Sequence, residues 1–331
     1  MGSNSERGAA ARPNPLRVAA DVDTGIDDAL ALVYLAAVCP DLRVTTSAGN
    51  CSAVAAARNS RAVLDLCHSF GTPITPGAPR PLLHDLTTTP ETHGPDGLGY
   101  YRTTVATPPA GCAAEAVAAW ESPEGLLVSG PATNLAWAVQ QAGGVPAPPG
   151  FPARTVIMGG AFDYPGNTTA TAEWNVWVDP HSLDLTLRQW PAGVALPLIC
   201  PLNVTEQVIL DPRRLGEWTE VLRARGLAEL GTLLEEALRF YFEFHEHVGV
   251  GYCAQIHDLA AAMVLLDAVE YEAKPGYVQV AVDGERRGTT TVDWHATPNA
   301  HIVTALNPDG VFQQFQQALD CLGGNAPSPR R

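Results

Sequence analysis

Four carboxylates fall within eight residues near the start of the chain, with an apolar run on either side of them. The stretch is AADVDTGIDDALALVYLAAV at positions 19–38, and its acids are Asp21, Asp23, Asp27 and Asp28. The first run has the length of a short buried strand, and the second has the length and spacing of a helix. Because like charges this close repel one another, the turn between strand and helix must hold something that offsets them.

The same alternation of strands and helices continues along the chain. Strand candidates are Leu16–Ala20, Leu42–Ser47, Gly125–Ser129, Arg154–Met158, Val194–Ile199, Tyr277–Val282, Gly288–Asp293 and Ala300–Leu306. Helix candidates are Ile26–Val38, Val54–Leu66, Ala132–Gln141, His181–Gln189, Leu227–Glu246, Ile256–Val269 and Asp309–Leu322. This order predicts an α/β fold with an open, mainly parallel central sheet and helices on both faces. Ligands of such sheets bind outside the carboxyl ends of the strands, so we expect the active site there.

The composition limits the domain organisation and the possible partners. The 331 residues are 46% hydrophobic, and no linker divides them, so we expect a single domain over 15–322 with flexible tails at 1–14 and 323–331. The net charge of −15 argues against a nucleic-acid partner or an anionic membrane surface, since phosphate binding needs clustered Lys and Arg. No apolar run reaches the roughly 18 residues of a membrane span. The seven cysteines form no CxxC pair, which favours a reducing, cytoplasmic location.

The simplest explanation of the acidic stretch is helix capping. Asp27 and Asp28 fall in the first turn of the predicted helix, where the helix dipole stabilises a carboxylate by about 0.3–1 kcal/mol. Capping does not explain Asp21 and Asp23, which arrive from the strand side. Hard cations such as Ca²⁺ and Mg²⁺ take carboxylate and carbonyl oxygens as ligands, so the whole set favours a metal site.

A metal site at this edge of the sheet needs ligands from other parts of the chain. Three candidates stand at predicted strand-to-helix transitions, namely Gly49 with Asn50, the SGPATN segment at 129–134, and His257 with Asp258. Each has an ordinary structural explanation, since Asn, Thr and Asp are common turn and cap residues. One site could nevertheless gather all three at the edge where the strands end.

In combination these motifs resemble those of one protein family. In chain order they are DVDTGIDDALAL, GN at 49–50, HGPDGLG at 93–99, SGPATNLA at 129–136, MGGAF at 158–162, GNTTATAEWNVWVDP at 166–180 and HDLAAA at 257–262. The order is similar to that of the calcium-dependent nucleoside hydrolases, the inosine-uridine type ribohydrolases. The resemblance runs from about Arg17 to Leu322. It implies the Rossmann-like fold of that family, one Ca²⁺ at the carboxyl edge of the sheet, and a homodimer or homotetramer.

The resemblance also implies a role for each matching position. The metal ligands would be the side chains of Asp23, Asp28 and Asp258 and the carbonyl oxygen of Thr133. The ribose contacts would be Asp27 and Asn175 at the 2′- and 3′-hydroxyls, Asn167 and Glu173 at the 5′ end, and Asn50 beside the ribose and the metal-bound water. Asp21 would support the ligands from behind.

The implied reaction is hydrolysis of the N-glycosidic bond of a ribonucleoside to free base and ribose. Such a bond breaks through an oxocarbenium-like state, as other glycosidic bonds do. A Ca²⁺-bound water would attack C1′, with Asp23 as the general base. His257 is the candidate proton donor to the leaving base, because imidazole titrates near neutral pH. The alternative is that His257 only supports Asp258 from within the core.

Several departures from the family pattern affect the pocket rather than the metal. Thr24 stands where the opening motif usually has Pro, and Trp174 stands on the pocket wall where Phe is common. The helix segment FYFEFHEHV has His245 and His247 near positions where relatives often have a Tyr facing the base. His245 is therefore a candidate base contact, and the base preference of relatives is not carried over. His93, in the glycine-rich HGPDGLG loop, would close over the substrate.

Two other functions fit parts of the sequence. A phosphatase of the DxDxT type would use Asp21 as a phosphoryl nucleophile with Mg²⁺. It would also need a cation for the phosphate, and the chain has a single lysine, Lys274, outside any motif. A non-catalytic Ca²⁺-dependent nucleoside or sugar binder would be expected to lack part of the catalytic set, whereas the whole set is present here.

Overall fold

Strands and helices alternate along the chain as the sequence predicts. The computed structural model describes residues 16–143 and 150–323, so the predicted tails lie outside the described residues except for Gly323. The strands are β1 Val18–Val22, β2 Leu42–Thr46, β3 Ile74–Pro76, β4 Gly125–Val128, β5 Arg154–Met158, β6 Leu198–Cys200, β7 Ile209–Leu210, β8 Ala254–Gln255, β9 Tyr271–Val280, β10 Thr290–Asp293 and β11 Ala300–Leu306. The α-helices are α1 Ile26–Val38, α2 Ala53–Leu66, α3 Pro90–His93, α4 Ala113–Ala119, α5 Thr133–Ala142, α6 Trp174–Val178, α7 Pro180–Arg188, α8 Leu202–Thr205, α9 Pro212–Ala224, α10 Ala228–His247, α11 Asp258–Leu265 and α12 Pro308–Cys321.

Nine of the strands form one sheet in the order β10-β9-β11-β6-β5-β4-β1-β2-β3. The seven strands from β3 to β11 in this order pair in parallel, and β9 pairs antiparallel with both β11 and β10. The remaining two strands, β7 and β8, make a separate antiparallel pair. The predicted open and mainly parallel sheet is therefore confirmed.

Helices cover both faces of this sheet, and each face has its own apolar core. Successive side chains of a strand point to opposite faces. In β1, Val18, Ala20 and Val22 accordingly join the larger core, which α1, α10, α11 and α12 complete, while Ala19 joins a second core with α5 and α7. Both faces of β1 are buried, which explains its continuous apolar sequence.

The predicted elements differ from the observed ones mainly at their ends. The first strand begins at Val18 and ends at Val22, two residues later than predicted, so Asp21 lies inside it. The strand predicted from Val194 is confined to Leu198–Cys200, and β9 begins six residues before the predicted Tyr277. Helices α4 and α9 had no predicted counterpart. No helix within the described ranges combines the length and the apolar character that a membrane span requires.

Candidate functional site

The acidic stretch lies where the direction of the strand order reverses. Strand β1 is flanked by β2 on one side and by β4 on the other, and the chain leaves β1 toward β2 and later continues from β4 toward β5. The polar segments that follow these three strands are Asp23–Gly25, Ser47–Asn50 and Ser129–Asn134. In open α/β sheets this reversal opens a crevice at the carboxyl ends of the strands, and ligands bind there.

A cavity of about 590 Å³ opens at this edge of the sheet. All nine side chains predicted to contact the substrate line it, although they come from segments spread over more than 200 residues. They are Asp27, Asn50, His93, Asn167, Glu173, Trp174, Asn175, His245 and His257. Asp258 also lines the cavity, whereas Asp23, Asp28 and Thr133 lie behind its wall. The structure therefore brings the predicted substrate residues together at one place.

A cluster of buried carboxylates borders the cavity. Candidate ligand oxygens of Asp27, Asp28 and Asp258 all lie within 4.8 Å of one another. Asp23 is not part of this tightest group, but its carboxyl group contacts that of Asp28. Asp258 is the first residue of α11, so the late HD motif meets the opening motif as the sequence predicts.

Asn50 fixes the position of Asp23. The main-chain N–H of Asn50 donates to Asp23 Oδ2 at 2.6 Å, and its side-chain Nδ2 donates to Oδ1 at 3.1 Å. The preceding residue must be glycine, because a Cβ at Gly49 would overlap Asp23 Oδ2 and would lie 2.6 Å from Pro131 Cδ. The GN pair after β2 therefore holds the carboxylate of Asp23, which follows β1.

Asp28 is held from two sides. Its Oδ1 accepts a hydrogen bond from Ser129 Oγ at 2.7 Å, and its Oδ2 accepts one from the main-chain N–H of Gly25 at 2.8 Å. The second bond satisfies a free N–H at the start of α1, so helix capping does contribute for this residue. The first bond connects the end of β4 to the carboxylate cluster, which capping alone would not require.

Burial and mutual repulsion raise the pKa values of the clustered carboxyl groups. Burial raises the pKa of Asp27 from 3.8 to about 7, and the charge of Asp28 adds to the effect. The pKa of Asp258 is raised well above its ordinary value by burial and by the charges of Asp27, Asp28 and Asp23. The pKa of Asp23 is raised in the same way, by burial first and by the charge of Asp28 second. A cation among these groups would remove the penalty.

The donor set fits a hard cation. Among residues 16–143 and 150–323, no arginine, lysine or histidine forms an ion pair with Asp23, Asp27, Asp28 or Asp258. The candidate ligand atoms of the cluster are all carboxylate oxygens, which suit Ca²⁺ or Mg²⁺ and not a soft metal. These four buried acids, which have no side-chain counter-ion among the described residues, could therefore hold a divalent cation.

Asp21 and Thr24 support this arrangement from within the core. Asp21 Oδ1 accepts hydrogen bonds from Thr45 Oγ1 at 2.7 Å and from Asn134 Nδ2 at 2.8 Å. These bonds join the ends of β1 and β2 to α5. Thr24 Oγ1 lies 2.7 Å from Ser60 Oγ on α2, so the residue that replaces the usual Pro makes a side-chain bond that Pro could not make.

Of the two polar side-chain atoms of Asn175, only Nδ2 has a hydrogen-bond partner in the described structure. Its Nδ2 donates to the carbonyl oxygen of Ser129 at 2.7 Å, whereas its Oδ1 is buried and has no partner among the described residues. Since Asn175 lines the cavity, Oδ1 is available to accept a hydrogen bond from a ligand hydroxyl. An unpaired buried oxygen of this kind costs free energy unless a ligand completes it.

Glu173 and Asn167, from the same 166–180 segment, make hydrogen bonds to the protein main chain. Glu173 is the N-cap of α6, and its carboxylate accepts from the main-chain N–H groups of Asn175, Val176 and Gly160. Asn167 Oδ1 accepts from the main-chain N–H of Trp174 at 2.9 Å, which closes the loop on itself. Both side chains line the cavity, so each could also contact a ligand.

Thr133 begins α5 beside the cluster. Its hydroxyl donates to Asp179 Oδ2 at 2.7 Å, and the other oxygen of Asp179 caps α7 through Ser182 N. The Thr133 hydroxyl is therefore engaged, so a metal ligand supplied by this residue would be its carbonyl oxygen.

Part of the cavity wall is aromatic and lies close to the opening motif. His93 Nδ1 accepts from the main-chain N–H of Ile26 at 3.1 Å, so the ring proton of neutral His93 is on Nε2. Burial lowers the pKa of His93 to about 3, and the ring is therefore neutral near pH 7. Its centroid lies 5.5 Å from that of Tyr241, which connects the HGPDGLG loop to α10.

His245 lines the cavity, and His247 does not. His245 is buried, and its Nδ1 donates to the carbonyl oxygen of Tyr241 at 2.8 Å. His247 is exposed two residues later on the outer side of α10. The choice between these two histidines, which the sequence left open, is resolved in favour of His245 as the one that faces the cavity.

His257 is held at the start of α11. Its Nδ1 lies 2.8 Å from Thr205 Oγ1, and its ring lines the cavity. Burial, together with the charges of the nearby His245 and His93, lowers the pKa of His257 to about 3. The ring is therefore neutral near pH 7.

Tyr241, Glu206 and Gln255 are among the cavity residues that were not predicted from the sequence. Tyr241 precedes His245 by one helical turn and therefore shares its face, a spacing that could have identified it. Glu206 follows β6 and α8 at the same carboxyl edge as the acids of β1, and Gln255 precedes His257 by two residues. Glu206 could have been found from its position behind a strand, whereas no pattern marks Gln255.

Comparison with known proteins identifies the same family along nearly the whole chain. The sequence profile of the inosine-uridine preferring nucleoside hydrolases matches residues 18–313. A pyrimidine-specific ribonucleoside hydrolase RihA from Salmonella arizonae is 30% identical over 324 residues, which cover 93% of this chain and 99% of the relative. A protein of the same name from Escherichia coli is 31% identical over 319 residues, which cover 92% of this chain and 98% of the relative.

Solved structures agree with these sequence similarities. A plant nucleoside hydrolase, the PpNRh1 enzyme, superposes with a TM-score of 0.77 at 25% identity and covers 92% of this chain and 99% of its own. A purine-preferring ribonucleoside hydrolase from Gardnerella vaginalis has a TM-score of 0.78 at 23% identity, with 93% and 99% covered. The second likeness concerns the fold alone.

Proposed function

The chain belongs to the family of inosine-uridine preferring nucleoside hydrolases, and we propose that its carboxylate cavity hydrolyses ribonucleosides with the help of Ca²⁺. Family membership supports a ribonucleoside N-ribohydrolase over the phosphatase that the sequence also allowed, and the substrate panel described below distinguishes this enzyme from a non-catalytic binder. The observation that carries the proposed mechanism is that four buried acids without a counter-ion border a cavity that all nine predicted substrate residues line.

Ca²⁺ is the metal that best matches the donor set. The side chains of Asp23, Asp28 and Asp258 and the carbonyl oxygen of Thr133 would hold the ion, with Asp27 beside it. All these donors are oxygens, and three of them are carboxylates, one from the β1–α1 connection, one from the first turn of α1 and one from the start of α11. When bound, Ca²⁺ makes a water molecule more acidic and orients it together with the ribose hydroxyls.

Asp23 is the proposed general base. Both of its carboxylate oxygens accept from Asn50, which fixes the plane of the group, yet each oxygen keeps a second lone pair. Asn50 therefore acts on the reaction by orienting the base, and its side chain also faces the cavity.

Asp27 and Asn175 are the proposed ribose contacts. Asp27 can accept hydrogen bonds from ribose hydroxyls, and the unpartnered Oδ1 of Asn175 can accept another. Asn167 and Glu173 lie farther along the same wall and would contact the 5′ end. The carboxylates around the sugar also stabilise the positive charge that develops on the ring as the bond to the base breaks.

His257 and its aromatic neighbours would assist the departing base. Because the pKa of His257 is depressed, the form present near neutral pH is the neutral ring. The Thr205 hydroxyl lies 2.8 Å from Nδ1 and also 3.2 Å from the carbonyl oxygen of Pro201, to which it can donate. In the other tautomer, in which Thr205 donates to Nδ1, the ring proton of His257 is on Nε2 and can be donated to the base. A hydrogen bond to the negative charge that develops on the leaving group would lower the barrier. Tyr241, His93 and His245 complete this wall.

A substrate panel tests the proposal directly. Purine and pyrimidine ribonucleosides and their 2′-deoxy analogues are incubated with the Ca²⁺-loaded protein, and free base and reducing sugar are measured in parallel. We expect equimolar base and ribose from at least one ribonucleoside and none from the Asp23→Asn variant. Binding of nucleosides without release of ribose by a folded, Ca²⁺-loaded protein would instead indicate a non-catalytic binder. The homo-oligomeric state and the cytoplasmic location stay predictions.

A further inference from the structure

A second group of metal-binding side chains lies outside the cavity. It consists of His84, His181 and Asp283, and candidate ligand atoms of the three residues all lie within 4.8 Å of one another. None of them lines the cavity, and the proposed nucleoside chemistry uses none of them. We propose that this His-His-Asp cluster binds one Zn²⁺ ion.

The three side chains converge from segments that are distant in sequence. His84 lies between β3 and α3, His181 is the second residue of α7, and Asp283 lies in the turn between β9 and β10. His84 Nε2 is 3.7 Å from Asp283 Oδ1, and His181 Nε2 is 3.9 Å from Oδ2. The two imidazole centroids are 5.0 Å apart.

These separations are close to those of a zinc site. Zn–N and Zn–O distances of about 2.0–2.2 Å in a tetrahedral site place neighbouring ligand atoms about 3.4 Å apart. Asp283 is 72% exposed and can rotate inward, so small side-chain movements would bring the three groups to that spacing. A water molecule would take the fourth position, as in zinc sites with three protein ligands.

The two histidines are well placed to act as neutral ligands. Their side chains are only 20% and 18% exposed, and His181 Nδ1 is buried without a hydrogen-bond partner in the described structure. His84 Nε2 lies 3.0 Å from the carbonyl oxygen of Val282, to which it donates a hydrogen bond. Binding of Zn²⁺ at this nitrogen would require the other tautomer, with the proton on Nδ1, and would replace that hydrogen bond with a metal bond.

The charged groups at the cluster are Asp283 and the nearby Arg287, which interact electrostatically. Both ion-pair contacts that Asp283 makes in the described residues are to the imidazoles. Arg287 is nearby, but its guanidinium donates to the carbonyl oxygens of Trp177 and Val178 and stacks on the Trp177 ring. Asp283 therefore keeps its charge available for a metal.

The donor types separate this site from the carboxylate cluster. Two imidazoles and one carboxylate suit Zn²⁺, whereas a set of carboxylate and carbonyl oxygens suits Ca²⁺. The proposed zinc would fasten the segment before α3 to α7 and to the β9–β10 turn. That segment is already anchored by a hydrogen bond of 2.9 Å from Leu82 N to Asp179 Oδ2, and it leads directly to Thr89–His93 on the cavity wall.

Equilibrium dialysis against Zn²⁺ tests the site without relying on activity. The purified protein is stripped with chelator, dialysed against buffer with excess Ca²⁺ to fill the carboxylate cluster, and titrated with ZnCl₂. Bound Zn²⁺ is counted by elemental analysis. The variants are His84→Ala, His181→Ala and Asp283→Asn, and the matched control is His295→Ala, which removes an exposed histidine outside the cluster.

We expect the wild-type protein and His295→Ala to bind one more Zn²⁺ per chain than His84→Ala or His181→Ala. Asp283 is exposed, so Asp283→Asn should fold normally, and its affinity is expected to fall by more than about 10-fold, the usual effect of even an outer partner of a metal site. Equal Zn²⁺ stoichiometry in the wild type and in folded variants would overturn the proposal. Equal losses in His295→Ala would overturn it as well, because binding would then be nonspecific.

Discussion

Asn50 donates two hydrogen bonds to Asp23, one from its main-chain N–H at 2.6 Å and one from its side-chain amide at 3.1 Å. The two residues follow neighbouring strands, β1 and β2, so the parallel pairing of the sheet determines how the proposed base is oriented. Gly49 makes this approach possible, since any side chain there would overlap the Asp23 carboxylate. The base is thus positioned by main-chain geometry as much as by a side chain.

Replacement of Asp23 should therefore remove the reaction while leaving the fold intact. We expect Asp23→Asn to lower kcat by about 10²–10⁴-fold, the usual range for loss of a general base. Asp23→Ala should in addition weaken Ca²⁺ binding, because it deletes a ligand. Steady-state ribose release and Ca²⁺ titration calorimetry measure the two effects separately. Unchanged turnover in a folded Asp23→Asn protein would rule out Asp23 as the base.

Removal of metal should inactivate the enzyme reversibly. The four buried acids have no side-chain counter-ion in the described structure, so a divalent cation is needed both for charge balance and for the attacking water. We expect treatment with EDTA, followed by gel filtration, to abolish ribose release, and added Ca²⁺ to restore it. Zn²⁺ should restore less, because the cluster offers only oxygen ligands. Full activity in a sample that elemental analysis shows to be free of metal would contradict the proposed mechanism.

The sequence predicted the fold and most of the site for a physical reason. Strands buried on both faces and amphipathic helices leave strong patterns, and residues at the carboxyl ends of parallel strands must meet at one edge. The sequence alone therefore predicts that Asp27, Asn50 and Asp258 lie close together. Their individual roles came from the resemblance to a family, since spacing alone does not distinguish a metal ligand from a sugar contact.

What the sequence did not predict depends on tertiary packing. Helix α9 was missed although Asp211 caps it and Pro212 begins it, because its apolar positions, such as Leu215 and Trp218, are sparse in a polar segment. Tyr241 was not predicted, because the sequence does not show which face of α10 lines the cavity and only the packing of the helix does. The zinc cluster could not be predicted, because its three residues come from unrelated turns.

The stability of the metal-free protein should respond to pH through Asp27. Its pKa is raised from 3.8 to about 7 by burial first and by Asp28 second, so the folded state binds this proton more tightly than the unfolded state. Asp27 therefore lowers the free energy of unfolding as the pH rises from about 4 to about 7. An asparagine side chain at this position would carry no such proton. Because the charge of Asp27 also raises the pKa values of Asp23 and Asp258, we expect Asp27→Asn to become more stable relative to the wild type as the pH rises through this range.

Urea denaturation at several pH values in the presence of EDTA measures this difference. His93 and His257 act in the opposite direction, because their pKa values are lowered to about 3. Their contribution is present in both proteins and should largely cancel from the comparison. A difference in unfolding free energy that does not change between pH 4 and pH 7 would show that Asp27 is not perturbed in this way.

Replacement of His257 should lower kcat more on substrates with a poor leaving group than on substrates with a good one. The ring of His257 lines the cavity, and its proposed role is to donate from Nε2 to the departing base, in the tautomer whose Nδ1 accepts from the Thr205 hydroxyl 2.8 Å away. Nitrophenolate leaves without such help. We therefore expect His257→Ala to lower kcat on natural nucleosides by about 10²-fold or more and to change kcat on p-nitrophenyl riboside by less than about 10-fold.

Thr205→Val is the matched variant, since it keeps the imidazole and removes only the hydroxyl partner. Its loss should follow the same order of substrates but be smaller. Equal losses on both substrates in His257→Ala would mean that the residue positions Asp258 instead of assisting the base.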